Sequence, residues 1–143
     1  MEATHLAHCV YRCEYHLVLV MKYRRKLFNA GIFAYFKIKL VEINRYYPLI
    51  RVVEINYDVD HLHLLVSVPP TMSVGKVVGI IKQNTSKGMK QKFPIIRQVY
   101  WGTDSFWSEG YFVSTVGLNE EVIEKYIRSQ GIKDSGQILK GFE

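Results

Sequence analysis

Apolar residues recur in this chain with two periods, and the order in which those periods follow one another restricts the folds open to it. Residues 14–21 alternate, placing Tyr15, Leu17, Leu19 and Met21 on one side and Glu14, His16, Val18 and Val20 on the other. Over residues 30–47 the period becomes helical, with Phe33, Phe36, Ile38, Leu40, Val41 and Ile43 forming a wide apolar face before Pro48 stops the run. Residues 51–57 read as a second strand, 57–60 as a turn, and 61–68 as a third strand closed by Pro69-Pro70. Ser73 is placed to cap a second helix running to about Lys92, with Val74, Val77, Val78 and Ile81 as its buried stripe. Pro94 ends that segment, and residues 95–107 read as irregular and aromatic. Residues 111–115 form a fourth strand. Asn119 then caps a third helix carrying Val122, Ile123, Tyr126 and Ile127 up to Gly131.

The order β-α-β-β-α-β followed by a helix is the ferredoxin-like, split βαβ plan. It predicts an α+β fold with an antiparallel sheet, two helices on one face and an open face opposite. At 143 residues the chain fits a single domain spanning 1–143, with a tail from 132 to 143 that has little to bury. Many functions share this plan, so it names none.

Composition narrows the class without choosing within it. With 48% hydrophobic and 22% charged residues, disordered and collagen-like readings are excluded. Two cysteines, Cys9 and Cys13, are too few to staple a fold of this size and read as reduced thiols near the first strand. Lys and Arg total 19 against 13 Asp and Glu, and the net charge of +6 suits a polyanionic partner. No stretch approaches the roughly 18–20 apolar residues of a membrane span, and the first ten residues do not read as a signal peptide. The expectation is a cytoplasmic protein with no membrane segment.

The chemistry concentrates at two places. His61 and His63 lie two apart on a strand, so their side chains leave the same face about 6.6 Å apart along the chain. Two imidazoles in that arrangement can share one divalent ion, or can simply occupy a half-wet sheet face. On the helix after Asn119, Gln130 falls on the same arc as Tyr126, one turn further on. A buried amide needs partners, and its oxygen could be a third metal ligand or could serve the helix end. Tyr126 could be a nucleophile beside the metal, or its ring could be core.

At these residues the chain resembles the single-tyrosine HUH transposases, small insertion-sequence enzymes that move as single-stranded DNA. Tyr15-His16-Leu17-Val18-Leu19-Val20, leading to Lys22-Tyr23-Arg24-Arg25, is similar to their opening strand. His61-Leu62-His63 and the residues to Pro70 resemble their HUH strand, and residues 106–117 the strand before the catalytic helix. Residues 122–130 resemble the helix of the nucleophile. The four blocks occur in family order and cover about residues 11–131.

The resemblance implies that Tyr126 is the nucleophile and that His61, His63 and Gln130 hold Mg²⁺ or Mn²⁺, with no nucleotide cofactor. It implies cleavage and rejoining of single-stranded DNA at element ends through a 5′-phosphotyrosine link, with recognition of subterminal hairpins. It further implies a homodimer in which the tyrosine helix of one subunit can complete the site of the other. Gly117 and Gly131, on either side of that helix, could let it swing or could simply serve turns and a helix end. Arg12, Lys22, Arg24, Arg25, Lys82 and Lys87 are candidate phosphate contacts. Tyr100, Trp101, Phe106 and Trp107 are candidates either for core or for base stacking. His5, His8, Cys9, Cys13 and His16 could be read as a zinc cluster, although their spacing matches no standard module. The alternatives are a non-catalytic single-stranded nucleic-acid-binding module of the same fold and a domesticated nuclease acting on a host repeat.

Overall fold

The computed structural model describes residues 3–103, 105–115 and 119–134. A short antiparallel hairpin, β1 (Thr4–Leu6) and β2 (Cys9–Tyr11), precedes the main sheet. The sheet is built from β3 (Glu14–Val20), β4 (Arg51–Tyr57), β5 (His61–Ser67) and β6 (Phe112–Ser114) in the order β4-β5-β3-β6, with every neighbouring pair antiparallel. Helix α1 (Ala30–Tyr46) joins the first two of these strands, and α2 (Val74–Lys92) lies on the path from β5 to β6. This is the ferredoxin-like arrangement that the hydrophobic periods predict.

Local chemistry sets the helix starts. Asn29 accepts from the amide of Ile32 at 2.9 Å and Ser73 from that of Lys76 at 3.1 Å, so both helices begin on capping side chains. The core lies between one face of the sheet and these helices. Leu17, Leu19 and Met21 of the first strand region and Leu62, Leu64, Val66 and Val68 of the third meet Phe36, Leu40, Val77 and Ile81 there. Not all of the apolar face expected on α1 is used. Ile38 and Val41 are exposed, whereas Ile32, Phe33, Phe36, Leu40 and Ile43 are buried. Ile38 stands roughly 200° round the helix from Phe36, beyond the arc that the sheet and α2 cover.

Two further expectations are corrected. Residues 95–107 are not wholly irregular: α3 (Pro94–Val99) follows α2 directly, with proline at its first position, where no intrahelical N–H is needed. Helix α4 (Glu120–Asp134) does not stop before Gly131. A Cβ at Gly131 would stand 2.5 Å from Cδ of Arg24, so this glycine permits close approach to the 3₁₀ turn Lys22–Arg24. Gly117 lies outside the described residues.

The face opposite α1 and α2 is not fully open either. Tyr126 and Ile127 of α4 form a second, smaller apolar cluster with Val18 and Val20, joined by Phe112 and Ile123. Because Val18 pairs with His63 and Val20 with His61, α4 packs beside the strand that carries the histidines.

Candidate active site

His61 and His63 are half-buried on the α4 side of β5. Each has one ring nitrogen held by a protein partner. His61 Nδ1 lies 2.9 Å from Asp60 Oδ1, and Asp60 Oδ2 in turn lies 3.4 Å from Nε of Arg24. His63 Nε2 lies 3.3 Å from Nδ1 of His16, a neighbour on the adjacent strand. These bonds leave Nε2 of His61 and Nδ1 of His63 as the remaining ring nitrogens. Burial, with His16 nearby, lowers the pKa of His63 and favours its neutral, lone-pair-bearing form. Hydrogen bonding from His61, with Arg24 adding to it, holds the Asp60 carboxyl below its usual range against the opposing effect of burial. The pair thus suits a divalent ion by donor type and by the partners that orient the rings.

Both histidines line a cavity of about 660 Å³ between β5 and α4, together with Val18, Arg24, Asp60, Ile123 and Ile127. Tyr126 and Gln130 do not line it. They meet instead at Gly110, where a Cβ would stand 2.9 Å from the Tyr126 hydroxyl and 2.8 Å from Gln130 Oε1. The Tyr126 hydroxyl is buried and has no hydrogen-bond partner among the described residues. Desolvation, with Asp134 nearby, raises its pKa further above the ordinary phenol value. Such a phenol is a poor nucleophile where it stands.

Ser108 holds the end of α4. Its Oγ is 3.0 Å from the amide oxygen of Gln130 and 2.8 Å from Oδ1 of Asp134, while Oδ2 of Asp134 accepts from the backbone N–H of Tyr23 at 3.0 Å. One hydroxyl proton cannot serve two acceptors. A half-turn of the Gln130 amide lets both bonds form: its NH₂ donates to Ser108, and its oxygen is released for another partner.

Of the six cations read as phosphate contacts, three make hydrogen bonds or ion pairs with the protein. Arg12 pairs with Glu14 at 3.0 Å and Arg24 with Asp60. The Lys82 ammonium donates to the carbonyls of Ser108 (2.6 Å), Glu109 (3.1 Å) and Gly110 (2.8 Å), so its three protons are spent on the loop beside Tyr126. Burial pushes its pKa down to about 8. Arg25 and Lys87 are exposed, and Lys22 is half-buried with its ammonium over the Tyr23 ring. Among the aromatic candidates Tyr100, Phe106 and Trp107 are core, and only Trp101 is exposed. The zinc reading is not supported: no group of three or more His, Cys, Asp or Glu able to hold a metal occurs among the described residues, and both cysteines are free.

His16 is expected from the sequence only in the zinc reading, not as a partner of His63. Its signal was available, since the alternation of residues 14–21 already puts it on the face of Val18 and Val20; only strand pairing shows that it reaches His63.

A ferredoxin-like sheet with a His-hydrophobic-His strand and a tyrosine-bearing helix laid beside it defines the HUH class of single-tyrosine transposases. The IS200-like transposase family model matches residues 9–130, and the chain belongs to that family. It is 34% identical over 129 residues to the transposase for insertion sequence element IS200 of Salmonella typhimurium, covering 87% of this chain and 81% of that protein. It is 31% identical over 126 residues to the ISDra2 transposase TnpA of Deinococcus radiodurans, covering 87% and 89%. A crystal structure of a Deinococcus radiodurans R1 protein described as a transposase superposes with a TM-score of 0.77 at 27% identity, covering 89% of this chain and 97% of the other. The structure of a REP-associated tyrosine transposase bound to a REP hairpin shares the fold, with a TM-score of 0.52 at 9% identity over 93% and 73% of the two chains. No helix among the described residues is long and apolar enough to cross a membrane.

Proposed function

We propose that this transposase cleaves and rejoins single-stranded DNA at the ends of an insertion sequence, with Tyr126 as nucleophile. The phenol oxygen attacks the scissile phosphorus and loses its proton, and the bond from phosphorus to the 3′ oxygen breaks. The products are a 5′-phosphotyrosine and a strand ending in a 3′-hydroxyl, that oxygen having gained a proton. Attack by a 3′-hydroxyl on the phosphotyrosine reverses the step and joins strands. One phosphodiester is exchanged for another, so no nucleotide cofactor is needed.

The observation that carries this reading is the His61–His63 pair, each ring fixed through one nitrogen with the other left to coordinate. His61, His63 and the amide oxygen of Gln130 would hold Mg²⁺ or Mn²⁺, which supplies charge to offset that developing on the phosphate. Asp60 and His16 orient the two rings. The Lys82-clamped loop and Ser108 orient the end of α4 that bears Tyr126 and Gln130.

Since Tyr126 and Gln130 of this chain do not line the histidine cavity, the complete site is read as one shared within a homodimer. The α4 of one subunit then brings tyrosine and glutamine to the histidines of the other. The substrate is DNA whose ends fold into hairpins, a reading favoured by the net charge of +6 and by the fold shared with a hairpin-bound transposase. The test is cleavage of single-stranded hairpin oligonucleotides with and without Mn²⁺. Metal-dependent nicking that His63→Ala abolishes, with hairpin binding retained, supports the reading; equal nicking in a chelator refutes it.

A further inference from the structure

The region between α2 and β6 contains four large aromatic residues, Tyr100, Trp101, Phe106 and Trp107, and three are buried. Trp101 is 81% exposed. The turn that carries it is fixed by hydrogen bonds. The Thr103 amide donates to the Tyr100 carbonyl at 3.1 Å, and Gly102 takes a φ of +79°, the value that the third position of a type II turn requires. The Thr103 hydroxyl adds a bond to the same carbonyl at 2.8 Å, and the Lys90 ammonium donates to the Thr103 carbonyl. An indole left in water on a turn fixed in this way is unfavourable for a free protein and useful for one that stacks a flat ligand on it.

The surroundings point to an anionic ligand. Trp101 shares a shallow cavity with Arg97, Lys90 and Gln91. Lys90 and Gln91 also line a second, longer groove, which runs along α2 past the exposed Lys87 to Lys22 and Ser108 and is lined by Glu109 near that end. The two form one basic strip with an aromatic platform at one end. At the other end stands Ser108, whose hydroxyl touches Gln130.

We propose that this strip binds a DNA hairpin, with the backbone along Lys87 and Lys22 and an unpaired base stacked on Trp101. The inference rests on the reading of the chain as a single-strand DNA transposase, and it locates that substrate. A strand leaving the hairpin at the Ser108 end arrives beside Gln130 and Tyr126.

The chain's two tryptophans make the test direct, because Trp107 is 1% exposed and only Trp101 meets the solvent. The probe is an imperfect hairpin oligonucleotide from the DNA flanking the gene, titrated against the full chain. Wild-type emission is expected to be quenched and shielded from acrylamide. Trp101→Ala is expected to weaken binding about tenfold and Trp101→Phe less than threefold, as loss and retention of one base–aromatic stack require. Lys87→Ala is expected to weaken binding and flatten its salt dependence. Undiminished affinity in Trp101→Ala, with the wild-type indole still open to acrylamide in the complex, overturns the inference alone. So does loss of a dimer in Trp101→Ala with unchanged hairpin affinity. Wild-type protein that binds no hairpin overturns both this inference and the reading beneath it.

Discussion

The Nδ1 of His16 stands 3.3 Å from the Nε2 of His63, so one imidazole on β3 fixes the ring of another on β5. The bond selects which nitrogen of His63 stays available, as Asp60 does for His61 at 2.9 Å. Partners of this kind typically affect metal affinity by about 10–100-fold. His16→Phe keeps a ring of similar size but removes the nitrogen. It is expected to weaken Mn²⁺ binding, measured by calorimetry, about tenfold while leaving the melting temperature nearly unchanged. Unaltered Mn²⁺ affinity would show that His16 does not orient His63.

Lys82 ties three successive carbonyls of the loop that faces Tyr126 and Gln130. In Lys82→Met those carbonyls lose their donor, which is expected to lower stability by about 1–3 kcal/mol in urea denaturation at pH 7. The pH dependence has a definite sign. The folded pKa, about 8, lies below the ordinary 10.5, so between those values the unfolded chain holds more of this proton and wild-type stability rises with pH from this group. Lys82→Met lacks that rise, and the gap between the two proteins is expected to widen from pH 8 to 10.5. A constant gap would mean that Lys82 titrates normally.

The histidines line a cavity that Tyr126 and Gln130 of the same chain do not. If α4 completes the partner's site, two inactive variants can repair each other. Tyr126→Phe and His63→Ala, each inactive alone, are expected to recover part of the wild-type cleavage when mixed and allowed to exchange subunits. The active site in the mixed dimer then combines the histidines of the first variant with the tyrosine of the second. No recovery despite demonstrated exchange would assign both halves of the site to one chain.

The fold was legible because each strand and helix carries its own period and its own cap, as at Asn29, Ser73 and Asn119. The failures occurred where tertiary contacts override local pattern. Gly131 looks like a helix end, but it is a contact with Arg24, and nothing local distinguishes the two. Ile38 and Val41 look like core because apolar character alone does not show how wide an arc a neighbour covers. In the site, His61, His63, Tyr126 and Gln130 could be named from spacing and resemblance. Lys82 could not be recognised as a loop clamp, since its role depends on carbonyls about 26 residues away that sequence cannot bring near it. Nor could the separation of Tyr126 from the histidine cavity, which depends on which side of β3 the helix packs.

Cleavage by this route leaves Tyr126 covalently joined to DNA. The most direct measurement is denaturing electrophoresis of the protein after incubation with a single-stranded hairpin oligonucleotide and Mn²⁺, the label placed on the 3′ side of the cleavage point. Wild type is expected to give a labelled, protease-sensitive adduct, and Tyr126→Phe none, while both bind the hairpin equally. A labelled adduct of undiminished yield in Tyr126→Phe would contradict the account.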